Sequence, residues 1–149
     1  MLDPKTAIIG RSVRINDDGI EQLRRLLSYQ GIELIVIDMP AYYIHLDEAF
    51  VPVDKDKILV STFILPHWFL DMLRERGYKL IETDRDDPML TNNCIALEPG
   101  KVLFSAQGVK TRKNLEKAGV ETIPVDISEI NKLGGGIHCS TLPLLWESI

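Results

Sequence analysis

The sequence has little cysteine, no long apolar segment and no cluster of basic residues. Its two cysteines, Cys94 and Cys139, lie far apart without Cys-x-x-Cys spacing, so neither a disulfide framework nor a zinc knuckle is indicated. The longest apolar runs, such as residues 34–37, are far too short to cross a bilayer, and residues 1–5 show no signal-peptide pattern. We therefore expect a cytoplasmic protein without membrane association, in which any special thiol acts alone.

Charge and length narrow the class of protein further. The formal net charge is -5, and lysine and arginine are scattered along the chain, so the sequence has no electrostatic footprint for nucleic acid. Small molecules are the expected ligands. A chain of 149 residues that is 45% hydrophobic fits one domain with a real core, and no linker is visible, so we predict a single domain over residues 1–149.

A pattern of helix, glycine and strand occurs three times. Apolar residues at helical spacing precede each glycine, which is the residue that best ends a helix, and a short β-branched run follows it. The three repeats are centred on Gly31, Gly77 and Gly119. Paired strand-like runs precede the second and third helices, whereas only residues 6–9 precede the first. Each unit is predicted to be strand, turn, strand, helix and strand, and the chain is expected to begin inside a repeat.

Cys139 follows three consecutive glycines, Gly134 to Gly136. A lone cysteine is more often a small buried hydrophobe than a nucleophile, and a triple glycine alone is often a flexible loop. Together they indicate a thiol beside a backbone that lets a planar ligand come close.

Polar residues elsewhere could complete such a site. Strand alternation around His45 is expected to place His45 and Asp47 on one face, although a lone His-x-Asp is usually an ordinary hydrogen-bonded pair. His138 would point away from Cys139 on a strand and would be a supporting residue. Arg14 lies in a predicted strand-to-helix turn. Its guanidinium either binds a carboxylate through two hydrogen bonds or is an ordinary surface arginine.

Four motifs together resemble the guanidine-modifying superfamily of arginine deiminases, dimethylarginine dimethylaminohydrolases and amidinotransferases. They are residues 9–16, His45-Leu46-Asp47, residues 93–97 and residues 134–139, in the order and roughly the spacing of that family. The resemblance covers nearly the whole chain. It implies an α/β fold, here about three strand-strand-helix-strand units of a five-fold, pentein-like α/β propeller.

The resemblance also implies roles for particular residues. Cys139 would be the nucleophile and His45 the acid and base, while Asp47, Arg14 and Gly136 would bind the substrate, with no cofactor and no metal. A guanidinium carbon yields only to a strong nucleophile such as a thiolate, which makes this assignment chemically reasonable. The expected activity is deiminase-like hydrolysis of a guanidino compound through a covalent amidino-cysteine intermediate.

Two departures from the family pattern keep alternatives open. The acidic-Gly-Gly-Asp motif and the first two units are not in this sequence, so full activity is expected to need a separate N-terminal half, or the chain to self-associate. Leu133 stands where typical arginine deiminases have an arginine, which puts free arginine in doubt as the substrate. The alternatives are an amidinotransferase, a dimethylarginine dimethylaminohydrolase and a non-catalytic subunit that binds a guanidino ligand. A metal site formed by Cys139, His138 and His45 is a poorer match.

Overall fold

The chain folds as a series of similar α/β units. A computed structural model describes residues 1–142 and Leu144. In this part of the chain the elements are β1 (Thr6–Arg11), α1 (Asp17–Ser28), β2 (Glu33–Asp38), a 3₁₀-helix (Leu46–Glu48), β3 (Phe50–Pro52), β4 (Lys57–Val60), α2 (His67–Glu75), β5 (Lys79–Glu82), β6 (Ile95–Glu98), β7 (Lys101–Ser105), α3 (Val109–Lys117), β8 (Glu121–Val125), α4 (Ser128–Asn131) and a second 3₁₀-helix (His138–Ser140).

The strands form three small sheets with the same topology. β1 pairs in parallel with β2; β4 lies between antiparallel β3 and parallel β5; and β7 lies between antiparallel β6 and parallel β8. The helices α1, α2 and α3 each connect the two parallel strands of their sheet. The predicted internal repeat is therefore confirmed, and its first unit lacks the antiparallel strand among the described residues.

The three glycines fix the register of the repeat. Gly31, Gly77 and Gly119 have φ values of 68°, 88° and 80°, in the left-handed region that a side chain disfavours. The strand that follows begins two residues later in every unit, and its first residue pairs with the first residue of the preceding parallel strand. Glycine thus ends each helix and sets where the returning strand starts.

The helices contribute apolar residues to the contacts between neighbouring units. Phe69 and Leu73 of α2 belong to one buried cluster that includes Ile37 of the first sheet and Val60 of the second. Leu115 of α3 belongs to another, with Leu59, Val102 and Phe104. The cluster beside α1 has only three buried members, Ala7, Ile20 and Leu34. None of the helices in residues 1–142 and 144 is long and apolar enough to cross a membrane.

The topology brings several loops to one edge of the sheets. Because β3 runs antiparallel to β4, the residues that precede β3 lie where β4 and β5 end. In the same way, β6 runs antiparallel to β7, so the residues that precede β6 lie where β7 ends. The loop after β1 joins this edge, since Ser12 Oγ donates to the carbonyl of Ile44 at 2.8 Å. Residues 12, 45–47 and 93 are thereby brought to the candidate site.

Candidate active site

Cys139 lies in the second 3₁₀-helix and is exposed. Its backbone N–H donates to Asn93 Oδ1 at 3.1 Å. Ser140 Oγ donates to the carbonyl of Gly136 at 2.8 Å, which closes the loop on itself. The thiol is thus presented to solvent from a short loop that is tied to a distant segment.

Asn93 is the residue that joins the loop to the rest of the site. It is 1% exposed, and its Nδ2 donates to Asp47 Oδ2 at 3.0 Å. Its carbonyl accepts the N–H groups of Ile137 and His138 at 3.1 and 3.3 Å. The sequence motif contained Asn93, but nothing in the sequence assigned it a role, because its partners lie 46 residues away in both directions.

Asp47 and His138 are in direct contact. His138 Nδ1 lies 2.8 Å from Asp47 Oδ2, while Asp47 Oδ1 is buried and has no hydrogen-bond partner in the described part of the chain. Residues 138–140 form a 3₁₀-helix, so the strand on which His138 would point away from Cys139 is not present. The site therefore holds an acidic side chain beside the cysteine loop, with one carboxylate oxygen still unpaired.

His45 does not share a strand with Asp47, and that prediction is wrong. Glu48 Oε1 accepts the N–H groups of Ile44 and His45, at 3.0 and 2.9 Å, and this cap starts a 3₁₀-helix at Leu46. His45 is the exposed residue before that helix, and Asp47 lies within it. A glutamate three residues after His45 was the signal in the sequence for a capped turn.

Arg14 lies in the turn between β1 and α1, as predicted, and is exposed. Its N–H donates to Ser12 Oγ at 3.2 Å, so the hydroxyl that holds Ile44 also shapes this turn. Among residues 1–142 and 144 the Arg14 guanidinium forms no ion pair. The turn is thus fixed beside the segment that leads to His45.

Gly136 is buried against Asn93. An added Cβ would overlap Asn93 Oδ1 and lie 2.6 Å from Asn93 Cβ and Cγ. The missing side chain at this position makes room for the asparagine that holds Cys139. Any side chain at position 136 would collide with Asn93, which accounts for the glycine.

The second cysteine has the opposite environment. Cys94 is 0% exposed and packs with Val102 and Phe104. Burial raises the pKa of its thiol to about 12, because an apolar interior disfavours the thiolate. Cys94 is therefore a structural cysteine, and a reagent that requires a thiolate will not find one there in the folded chain.

A cleft with a volume of about 210 Å³ lies next to the site. Its lining includes Glu48 and Asn92, the immediate neighbours of Asp47 and Asn93, but none of the five predicted site residues. The guanidinium of Arg85, also in this lining, lies 5.1 Å from the ring centroid of Phe63. The described residues contain no group of three or more His, Cys, Asp or Glu side chains arranged to hold a metal ion.

Comparison with known proteins identifies relatives over almost the whole chain. The family model described as N,N dimethylarginine dimethylhydrolase, eukaryotic, matches residues 1–146. The uncharacterized protein YkgA of Bacillus subtilis (strain 168) is 28% identical over 146 residues, which are 97% of this chain and 50% of that protein. A 2-nitroimidazole nitrohydrolase of Mycobacterium sp. (strain JS330) is 31% identical over 129 residues, 85% of this chain and 34% of that protein.

An arginine deiminase of Mycoplasma capricolum subsp. capricolum is 26% identical over 187 residues, with 100% of this chain and 46% of that protein covered. The chain thus spans half or less of the length of these curated relatives.

Solved structures also superpose on this chain. An amidinotransferase from Microseira wollei superposes with a TM-score of 0.85 at 19% identity, over 99% of this chain and 46% of that one, which establishes the fold. DDAH from Pseudomonas aeruginosa, solved with citrulline, superposes with a TM-score of 0.73 at 25% identity, over 88% of this chain and 48% of that one.

Proposed function

The chain belongs to the guanidine-modifying family whose model is described as N,N dimethylarginine dimethylhydrolase, eukaryotic, and on this premise we propose that Cys139 attacks a guanidino carbon. The reaction is hydrolysis of a C–N bond, deiminase-like, through a covalent amidino-cysteine. Since the chain spans half or less of its curated relatives, this activity is proposed for the chain together with the remaining units of the five-fold propeller.

The observation that carries the proposal is the bridge made by Asn93. One buried side chain hydrogen-bonds both the backbone of Cys139 and the carboxylate of Asp47. A carboxylate is the group that best recognises a guanidinium, through charge-assisted hydrogen bonds. A nucleophile loop docked beside such a carboxylate is the arrangement that attack on a bound guanidinium requires.

The chemistry balances with these residues. The Cys139 thiolate adds to the guanidino carbon and forms a tetrahedral adduct, and His45 gives a proton to the departing nitrogen as the C–N bond breaks. His45 then takes one proton from water as the water oxygen adds to the amidino-thioether carbon. As the C–S bond breaks, the remaining hydroxyl proton passes to solvent, where the released amine takes it up, and the ureido product and the thiolate are formed. Arg14 binds a carboxylate at the far end of the substrate, and the Gly136 backbone lies along the bound amidine.

A second candidate differs in the leaving group. The family match favours a dimethylarginine dimethylaminohydrolase, which releases dimethylamine where a deiminase releases ammonia. An amine acceptor in place of water would make the protein an amidinotransferase. Assaying ammonia, dimethylamine and the ureido product from arginine and dimethylarginine distinguishes these reactions. If the chain combined with its remaining units turns over none of these substrates, a non-catalytic subunit that binds a guanidino ligand would be favoured.

Labelling with an amidine reagent tests the proposed function. We expect 2-chloroacetamidine to alkylate Cys139 and not the buried Cys94, and a guanidino substrate to protect Cys139. Mass spectrometry of the chain, alone and with the other units, locates the adduct, and Cys139→Ser is the control that must lose it. Labelling only with the other units present would mean a site shared between segments. Equal labelling of both cysteines would refute the assignment of the nucleophile.

The open edge of β1 and the neighbouring face of α1 form the surface on which the remaining units are proposed to pack. Val53 N–H donates to the carbonyl of Lys57 beside β4, and Leu2 N–H makes the equivalent bond to Thr6 beside β1, at 3.0 and 2.8 Å. On the side away from β2, β1 pairs with no strand among the described residues. Leu26 of α1 is 61% exposed. Open strand edges and exposed apolar faces are normally covered by pairing.

We therefore expect the chain to self-associate or to bind a separate N-terminal half through the β1 edge. Light scattering coupled to size exclusion measures the mass of the species in solution. Leu26→Glu adds a charge to the proposed interface and should shift the population toward monomer, whereas Glu21→Gln, at an exposed position of the same helix, should not. A monodisperse monomer from the unsubstituted chain would contradict the expectation.

A further inference from the structure

We propose that Asn93 is a positioning residue, which holds residues 136–139 against Asp47 through one buried side-chain amide. This inference rests on the proposed function and deepens it, because it assigns the residue that places Cys139 beside the carboxylate of Asp47. Asn93 itself does not touch the substrate.

The hydrogen bonds of Asn93 use both ends of its amide. Oδ1 accepts from Cys139 N–H, Nδ2 donates to Asp47 Oδ2, and the carbonyl accepts from Ile137 and His138 N–H. With 1% of the residue exposed, water has little access to compete for these partners. A planar amide has a fixed separation between its donor and its acceptor, so the position of Cys139 relative to Asp47 is set by one rigid group.

The same bonds decide which oxygen of Asp47 remains available. Oδ2 already contacts Asn93 Nδ2 and His138 Nδ1, whereas Oδ1 is buried without a partner among residues 1–142 and 144. A buried carboxylate oxygen without a donor is costly, and a cationic N–H donor would relieve that cost. The unpaired Oδ1 fits the guanidinium-binding role already proposed for Asp47, and the bonds made by Asn93 and His138 account for Oδ2 alone.

Two measurements on the 149-residue chain test the inference. Amide hydrogen exchange by NMR reports the Cys139 N–H directly, and the ratio of Cys139 alkylation rates with 2-chloroacetamidine and iodoacetamide reports recognition of the amidine. In Asn93→Ser we expect the Cys139 amide to exchange about tenfold faster and the rate ratio to fall about tenfold. The Ile137 amide, which is bonded to the Asn93 backbone, should change much less.

Matched variants separate positioning from general damage. Asn114→Ser, at an exposed asparagine on α3, should leave both readouts unchanged. Asp47→Ala should lower the rate ratio while Cys139 keeps its slow exchange, because the bond to Asn93 Oδ1 remains. If Asn93→Ser does not fold, Gly136→Ala takes its place, because its added methyl displaces Asn93 Oδ1 and should also speed exchange of the Cys139 amide.

Cys139 exchange in Asn93→Ser equal to that in Asn114→Ser would overturn the inference, as would an unchanged rate ratio. If the unsubstituted chain shows no preference for the amidine even when the remaining units are present, the proposed function fails, and the exchange result still decides whether Asn93 holds the loop.

Discussion

Cys139→Ser is expected to lower turnover of a guanidino substrate at least about 10³-fold, because a serine hydroxyl is a far weaker nucleophile than a thiolate. The same substitution should change the free energy of unfolding by less than about 0.5 kcal/mol, since residue 139 is exposed and is held through its backbone. Steady-state kinetics of the chain completed with its remaining units, and urea unfolding of the chain, measure the two effects.

Cys94→Ser is the matched control. We expect it to lower the free energy of unfolding and to leave turnover unchanged. The introduced hydroxyl would be buried beside Val102 and Phe104, so we expect unfolding to become easier by about 1–3 kcal/mol while the folded fraction keeps its turnover. Substantial activity in Cys139→Ser would remove this residue from the role of nucleophile. Loss of activity in both variants, with equal loss of stability, would mean that only the fold had been affected.

The repeated fold could be predicted because its signals are local. Apolar spacing identified the three main helices, and the glycines at 31, 77 and 119 identified where each helix ends, so the returning strands followed in register. Strand alternation failed at His45, where the Glu48 carboxylate caps two N–H groups and starts a 3₁₀-helix. A side chain that satisfies backbone donors can override a strand pattern over a few residues.

The site was only partly predictable, because its contacts are long-range. The sequence singled out Cys139 and Asp47 separately, and the structure brings them together through Asn93, which lies 46 residues from each. Nothing in the local pattern around Asn93 distinguishes it from the equally buried Asn92. The contact of His138 with Asp47 could not be predicted for the same reason, since it depends on how the loop docks.

Gly136→Ala is expected to slow alkylation of Cys139 by 2-chloroacetamidine by about two orders of magnitude. The added methyl would overlap Asn93 Oδ1, and it would lie 2.6 Å from Asn93 Cβ and Cγ, closer than real carbon atoms approach. Either Asn93 or the loop must move, and either movement breaks the bond from Cys139 N–H. Overpacking of this kind costs about 1–3 kcal/mol, which is enough to undock a short loop. Stopped-time alkylation followed by mass spectrometry gives the rate.

Gly135→Ala is the appropriate control because it adds the same methyl group one residue earlier. Its Cβ would lie 3.0 Å from Ile130 Cγ2, which belongs to a side chain that is 40% exposed and free to rotate away. We therefore expect its alkylation rate to stay within about threefold of the unsubstituted chain, the change that roughly 0.6 kcal/mol produces. Similar rates in the two variants would show that residue 136 tolerates a side chain. In that case the close packing of Gly136 on Asn93 would not be what holds Cys139 beside Asp47.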